Sequence, residues 1–584
     1  MPYISPLSKY SSKELNDVFS KKSRYSSWVD VWKAQVKVQV DMGVEERVAF
    51  DEISSLIVDD VFVKKVDDYE KLTQHDINAG VKCLKELCPN AKKIQAGLTS
   101  MDIDDNERVI LQSRGLDYLV NKLVGVGFNV EPFILKGKKP SGAIGHSQDL
   151  IDFFNGDESR ASEFSSNLMG ALGLDYFKRT TQIYPREQDF ELGVYLLSIA
   201  GNLRALNPDN KFVSDAYQAM NARVLTLYDN SAHDVDHRTI ADSVSRRIDI
   251  PELYMLLNGV IDSAFGLESV HSDSVSPLSR YASKSMVDAV SKSDYVTART
   301  VLKKGLVNSV YCLSSKVEEF SDVVYLARTH LQPAELTTVG RFLGLTLDKL
   351  VNYVDKIDGL SELQFPFFIS EVGSSFSSFF ETQVFRQALR QFFEPFKSTQ
   401  VGSNAMPFKQ NPNKGERGKG LARMIEGRMS YYNMNNSLWD ELEKPELYLI
   451  LDSIINNFNY IVSDLRVNRE AVNSEIEQFK FNDVEVSLLA KVTKYGAVRE
   501  DAHDELRDIM FNHGGIAGIK DSAYFKNVFG DNLNLIVDNL LAKKPESRIG
   551  TSIKDVNESL SAARVILDKN HSLIDKSSGK VLTV

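Results

Sequence analysis

The chain has 584 residues, 43% hydrophobic and 26% charged, a balance that suits a soluble globular protein and argues against disorder or a membrane protein. No apolar run approaches the ~18 residues needed to span a bilayer. A net charge of −11 argues against general nucleic-acid binding, so any anionic ligand must meet a local cluster of cations. Cys83, Cys88 and Cys312 show no CxxC spacing and read as unpaired thiols of a reducing compartment; with no targeting signal at the N-terminus, the expected location is the cytoplasm.

In chain order, Ser5-Pro6-Leu7-Ser8-Lys9-Tyr10-Ser11-Ser12-Lys13 comes first, and it recurs as Ser276-Pro277-Leu278-Ser279-Arg280-Tyr281-Ala282-Ser283-Lys284. Pro251-Glu252-Leu253-Tyr254 recurs as Pro445-Glu446-Leu447-Tyr448, each read as opening an apolar helix. Two matches in the same order predict two diverged halves, 1–272 and 273–584, joined near the Ser-rich segment 271–274. The first half carries four short polar segments: Gln74-His75-Asp76-Ile77, Gln95-Ala96-Gly97-Leu98-Thr99-Ser100-Met101-Asp102, Ser141-Gly142-Ala143-Ile144-Gly145 and Thr181-Gln182-Ile183-Tyr184. They are followed by His237-Arg238-Thr239-Ile240-Ala241-Asp242-Ser243-Val244-Ser245-Arg246-Arg247-Ile248, where Ser243 and Arg247 stand four apart on one helix face. His233 and His237 are also four apart, but neither an HExxH pattern nor a third ligand accompanies them, so no metal is expected.

The second half carries Ala327-Arg328-Thr329-His330-Leu331-Gln332-Pro333-Ala334. Beyond it, Leu343, Leu347, Leu350, Val354 and Ile357, and later Leu451, Ile454, Phe458, Ile461 and Leu465, step by threes and fours. Such seams line long helices of the kind that bundles bury. Period-two alternation is scarce, so the expected fold is all-α with the motifs in irregular loops. Between the two seams lies Gly402-Ser403-Asn404-Ala405-Met406-Pro407-Phe408-Lys409-Gln410-Asn411-Pro412, a small-residue loop whose Ser, Lys and Asn can abstract a proton and hold a carboxylate. Lys414, Arg417, Lys419, Arg423 and Arg428 follow it as a basic cluster; Gly402, Gly415, Gly418 and Gly420 read as hinges of a closing loop. The run 415–420 is no phosphate loop, since Gly420 stands where Ser or Thr is required.

The run 402–412 resembles the GSSxMPxKxNP signature of the fumarase/aspartase superfamily, and the motifs together are most similar to those of adenylosuccinate lyases. The resemblance implies a long-helix bundle and anti β-elimination of fumarate from adenylosuccinate to give AMP, and from succinylaminoimidazole carboxamide ribotide, in purine biosynthesis. No cofactor is implied. By the same resemblance Ser403 is the base and His330, in the THxQPA motif with Thr329 and Gln332, is the acid. Lys409 and Asn411 grip the succinyl carboxylates, Thr99 and Ser100 bind the fumarate portion, and Gln182 contacts substrate. His75 and Asp76 are nucleotide contacts or a relay to the acid. Arg238, Ser243 and Arg247 form the phosphate cradle, joined by Lys9 and Tyr10 of the first half or Arg280 and Tyr281 of the second.

Two departures stand out. Gln95 occupies the family's His position. The first half lacks the THxQP and Ser-loop motifs while the second has only those, so the halves are complementary. The family's sites draw loops from three subunits, which makes a homo-oligomer expected here: two tandem chains as a four-module bundle with fewer complete sites than four. The remaining readings are another superfamily lyase, a cycloisomerase, or a non-catalytic scaffold.

Overall fold

The computed structural model describes residues 5–142, 145, 147–178, 180–232, 241–268, 275–329, 331–403, 406, 408–430, 432, 438–512 and 515–580. Arg238, His233, His237 and His330 therefore lie outside the described residues. The two hydrophobic seams fold as expected. Leu343, Leu347, Leu350 and Val354 are buried on the helix Val339–Lys356, which starts where the Thr338 hydroxyl accepts the Arg341 N–H. Leu451, Ile454, Phe458 and Ile461 are buried on Lys444–Ser463.

Two three-helix units are present, one on either side of residue 272. In the first, Glu187–Leu206, Lys211–Ala232 and Ala241–Phe265 pack on one another; in the second, Phe365–Ala388, Asn413–Met429 and Lys444–Ser463 do the same. The first two helices of the first unit are joined by residues 207–210 alone. In the second unit the corresponding connection runs from 389 to 412 and carries the Ser-bearing loop. The units meet along Lys211–Ala232, Ala241–Phe265 and Asn413–Met429.

At that junction two arginines sit among four carboxylates, all buried. Arg428 pairs with Asp249 at 2.7 Å, Glu252 and Glu446 at 3.0 Å and Glu443 at 3.5 Å; Arg223 pairs with Glu252 and Glu443 at 2.7 Å. Burial, only partly offset by Arg428, pushes the Asp249 carboxyl up to about 6. Burial and the neighbouring Glu252 raise Glu446 well above the usual carboxylate range.

The repeated N-terminal motif has one local structure in both copies. Ser5 and Ser276 each cap a 3-10 turn, Pro6–Lys9 and Pro277–Arg280, and Ser12 and Ser283 cap the next helices, Lys13–Val18 and Lys284–Val290. The Pro-Glu-Leu-Tyr repeats differ. Pro445 is the second residue of Lys444–Ser463, directly after the π-turn Trp439–Glu443, whereas Pro251 is inside Ala241–Phe265, so the expectation that Pro251 opens a helix is corrected. The first-half helix starts earlier because residues 241–250, the Ser243–Arg247 segment, are themselves helical.

A further core under Trp28 and Trp32 joins Lys21–Asp41 to Ser100–Gly125 and the short helices Asp60–Thr73 and Asp76–Leu87. In the second half Tyr295–Glu319, Val339–Lys356 and Ser552–Lys569 pack together, and a satellite core spans Val484 to Leu540. One motif is not in an irregular loop: Val324–Thr329 and Gln332–Thr338 form an antiparallel hairpin pairing Thr329 with Gln332. Among the described residues no helix is long and apolar enough to cross a membrane, and the three cysteines are buried and unpaired.

Candidate active site

Residues from both halves line one cavity of about 140 Å³ within a single chain. The first half supplies His75, Asp76, Ser100, Gln182, Ser243 and Arg247, and the second supplies Tyr281, Ser403, Lys409 and Asn411.

The Ser-bearing loop is fixed at both ends. Val401 donates its N–H to the Thr73 carbonyl of the first half at 2.9 Å, and the buried Glu394 carboxylate accepts the N–H groups of Lys414 and Gly415 at 3.0 Å. Inside the loop, Ser403 Oγ accepts the Met406 N–H at 3.1 Å, and the Asn411 amide donates to the Gly402 carbonyl at 2.6 Å. The Ser403 oxygen thus already receives a backbone donor of the kind that stabilises an alkoxide. Asn411 braces the loop while also lining the cavity. Gly402 is required sterically, because a Cβ there would drive into the Lys409 carbonyl. Gly415, Gly418 and Gly420 do not hinge a loop, correcting that expectation: all three lie inside Asn413–Met429, where Gly415 packs on Gln383 and Gly418 on the Phe380 ring.

On the first-half side, Ser100 is the first residue of Ser100–Gly125. Thr99 precedes it, is buried, and does not line the cavity; its N–H donates to Asp102 at 2.8 Å. His75 caps Asp76–Leu87, its Nδ1 accepting the Asn78 N–H at 3.4 Å and lying 3.6 Å from the Asp76 carboxylate. Gln182 follows a segment seated against the Gly-rich turn: Ser141 Oγ donates to the Thr181 carbonyl, and Gly145, at φ +97°, packs so tightly on the Thr180 carbonyl that no Cβ fits.

Adjacent arginines on Ala241–Phe265 divide their roles. Arg246 turns inward to Asp189, 2.6 Å away, and to the Tyr184 hydroxyl, whereas Arg247 reaches the cavity and pairs with Asp76 at 2.7 Å. Burial opposes ionisation of Asp76, but Arg247 and Arg24 outweigh it and hold the carboxyl well below its ordinary range. The same balance keeps Asp104 low. Arg247 Nε and Ser243 Oγ are buried without hydrogen-bond partners among the described residues.

Asp104, Gln74, Lys414, Glu416 and Arg417 also line the cavity, giving four cations, Arg247, Lys409, Lys414 and Arg417, against the carboxylates of Asp76, Asp104 and Glu416. Lys414 and Arg417 were visible in the sequence only as members of the basic run; the spacing of Asp104, four residues after Ser100, was the signal for it. Burial and then repulsion from Arg417 lower the Lys414 ammonium to about 8. Arg417 lies 5.3 Å from the Tyr281 ring centroid. Although burial works against it, Arg280, Arg247 and Arg417 lower the Tyr281 phenol. Arg280 itself pairs with Glu70 beside this group.

Other expected residues are elsewhere. Lys9 and Tyr10 turn to Glu441, and the Tyr10 ring packs on Phe212 at 4.7 Å. Thr329 and Gln332 are exposed at the hairpin tip and do not line the cavity. Gln95 accepts the Trp32 indole N–H at 2.9 Å and donates to the Leu98 carbonyl, which places its amide in the scaffold. Among the described residues no group of three or more His, Cys, Asp or Glu is arranged to hold a metal.

No protein-family model matches the chain. Curated relatives do: an adenylosuccinate lyase of Archaeoglobus fulgidus is 27% identical over 183 residues, 29% of this chain and 40% of that protein. The adenylosuccinate lyase of Schizosaccharomyces pombe is 24% identical over 45% of this chain and 71% of its own length. The chain is a homologue of adenylosuccinate lyases. The alignment with the Aquifex aeolicus enzyme, at 22% identity, runs through both halves, covering 85% of this chain and 86% of that one. Among solved structures, a 3-carboxy-cis,cis-muconate lactonizing enzyme from Pseudomonas putida matches at a TM-score of 0.39 and 14% identity, over 64% of this chain and 94% of that one. A fumarate lyase from Mesorhizobium sp. BNC1 matches at 0.38 and 10%, over 95% and 98%.

Proposed function

We propose that the chain eliminates fumarate from adenylosuccinate to give AMP, and acts on succinylaminoimidazole carboxamide ribotide by the same chemistry. The observation that carries this reading is the shared cavity of Ser403 and Lys409 with Ser100, Gln182, Ser243 and Arg247. Ser403, as the alkoxide held by the Met406 N–H, takes the proton from the carbon beside a succinyl carboxylate and becomes the neutral hydroxyl, and Lys409 stabilises the aci-carboxylate that builds up. As the carbon–carbon double bond forms, the carbon–nitrogen bond breaks, and His330 gives its proton to the departing nitrogen. Arg247 Nε and the Ser243 hydroxyl supply donors for the nucleotide phosphate. The cavity's ~140 Å³ is below the ~300–1,000 Å³ of pockets that enclose drug-sized ligands, so a whole nucleotide needs more room than it offers in this state.

The twin capped turns, the Pro-Glu-Leu-Tyr repeats and the paired three-helix units support an ancient duplication into halves 1–272 and 273–584, each having lost the loops that the other kept. The exposure of Thr329 and Gln332 supports supply of the acid by a second chain. Two chains then form a four-module bundle in the cytoplasm, with fewer complete sites than four. Fumarate release followed by ultraviolet absorbance tests the substrate assignment. Adenylosuccinate is expected to turn over and argininosuccinate, which has no phosphate, is not; turnover of argininosuccinate alone, or of neither, contradicts it.

A further inference from the structure

Behind the Ser-bearing loop lies a second and larger cavity, of about 700 Å³, that the elimination chemistry does not use. Its apolar wall includes Tyr311, Phe396, Tyr460 and Leu560, and its charged lining is Lys316, Lys397, Arg564, Lys576 and Lys580 against Glu318 and Asp464. Lys316 pairs with Glu319 at 2.7 Å and Arg564 approaches Glu318 at 3.9 Å, whereas Lys397, Lys576 and Lys580 have no ion-pair partner among the described residues. A surplus of cations at one cavity of a chain with net charge −11 selects an anion locally. Three aromatic rings beside it offer stacking and apolar area to a planar body. The volume is that of pockets enclosing drug-sized ligands.

We propose that this cavity binds a nucleoside phosphate and that occupancy steadies the Ser403 loop. The cavity and the loop share one segment. Pro395, Phe396 and Lys397 line the cavity, Glu394 just before them holds the Lys414 and Gly415 N–H groups, and the Phe396 ring lies 3.4 Å from the position a Cβ on Gly402 would take. A base stacked on Phe396, with its phosphates on Lys397 and the tail lysines, therefore restrains the chain entering Ser403. The tail is itself fastened: Ser463 Oγ donates to the Gly579 carbonyl at 3.0 Å, and Asn308 accepts the Asp575 N–H at 2.7 Å.

The test is calorimetric titration of the full chain with ATP, alongside inorganic triphosphate, for wild type, the exposed double variant Lys576→Glu/Lys580→Glu, and Lys409→Ala in the other cavity. Expected are saturable ATP binding at least ten-fold tighter than triphosphate, at least ten-fold weakening in the double variant with unchanged thermal unfolding, and no change in Lys409→Ala. Amide exchange over 395–403 is expected to slow at saturating ATP. Absence of saturable ATP binding, equal affinity for triphosphate, undiminished binding in the double variant, loss of binding in Lys409→Ala, or unaltered exchange over 395–403 would each overturn the proposal. The lining of this cavity includes no residue to which the elimination is assigned, so this outcome is independent of whether adenylosuccinate is the substrate.

Discussion

Ser403→Ala is expected to lower kcat for fumarate release about 10³-fold, the middle of the range for removing a positioned proton-transfer group. KM should change little, because the carboxylate and phosphate contacts come from other side chains. Ser403 Oγ accepts the Met406 N–H, and losing that hydrogen bond costs about 1 kcal/mol. Thermal unfolding of the variant is expected to stay close to wild type. Steady-state kinetics beside a melting curve checks both: a melt shifted far more than this would move the residue's role from chemistry to folding, and near-normal kcat would remove it from the mechanism.

The largest effect on stability is expected at Arg428. It is fully buried among Asp249, Glu252, Glu443 and Glu446, and Arg428→Ala removes one of the two arginines that pair with this cluster among the described residues. Stranding buried charges in this way costs about 3–5 kcal/mol. The pH dependence follows from direction. Asp249 is raised from its ordinary value to about 6, and Glu446 is raised too, so their contribution is present below pH ~4, the unfolded value, and is lost as pH rises through about 6. Without Arg428 both carboxyls rise further, and the loss on going to pH 8 grows. Urea unfolding should show a smaller deficit at pH 5 than at pH 8; an equal deficit at both would mean that packing, not charge, sets the cost.

Much of the fold was legible because seams such as Leu343, Leu347, Leu350 and Val354 repeat at helical spacing over several turns. The hairpin of Val324–Thr329 and Gln332–Thr338 was not, because its strands do not alternate: Val324, Tyr325 and Leu326 are buried in succession. Pro251 misled through a rule about helix starts that the helical Ser243–Arg247 segment overrode. The motif glycines looked like hinges because sequence cannot distinguish a flexible glycine from one pressed against Phe380. In the site, motifs supplied Ser403, Lys409, Ser100 and Arg247. Which residues would share a cavity was beyond them, because that depends on how the two three-helix units dock. Lys414 and Arg417 were hidden in a basic run whose ordinary fate is a solvated face; they differ from Lys419 in lining the cavity, which the run itself does not reveal.

The central claim is that parts kept by different halves, and by a second chain, converge on one pocket. Mixing chains carrying Ser403→Ala with chains carrying His330→Ala, each inactive alone, tests it most directly. After subunit exchange, half the dimers are mixed and each mixed dimer regains one of its two sites, so fumarate release should return to about a quarter of the wild-type rate. If exchange is complete and activity stays at the level of the separate variants, the base and the acid do not meet across chains, and the account is contradicted.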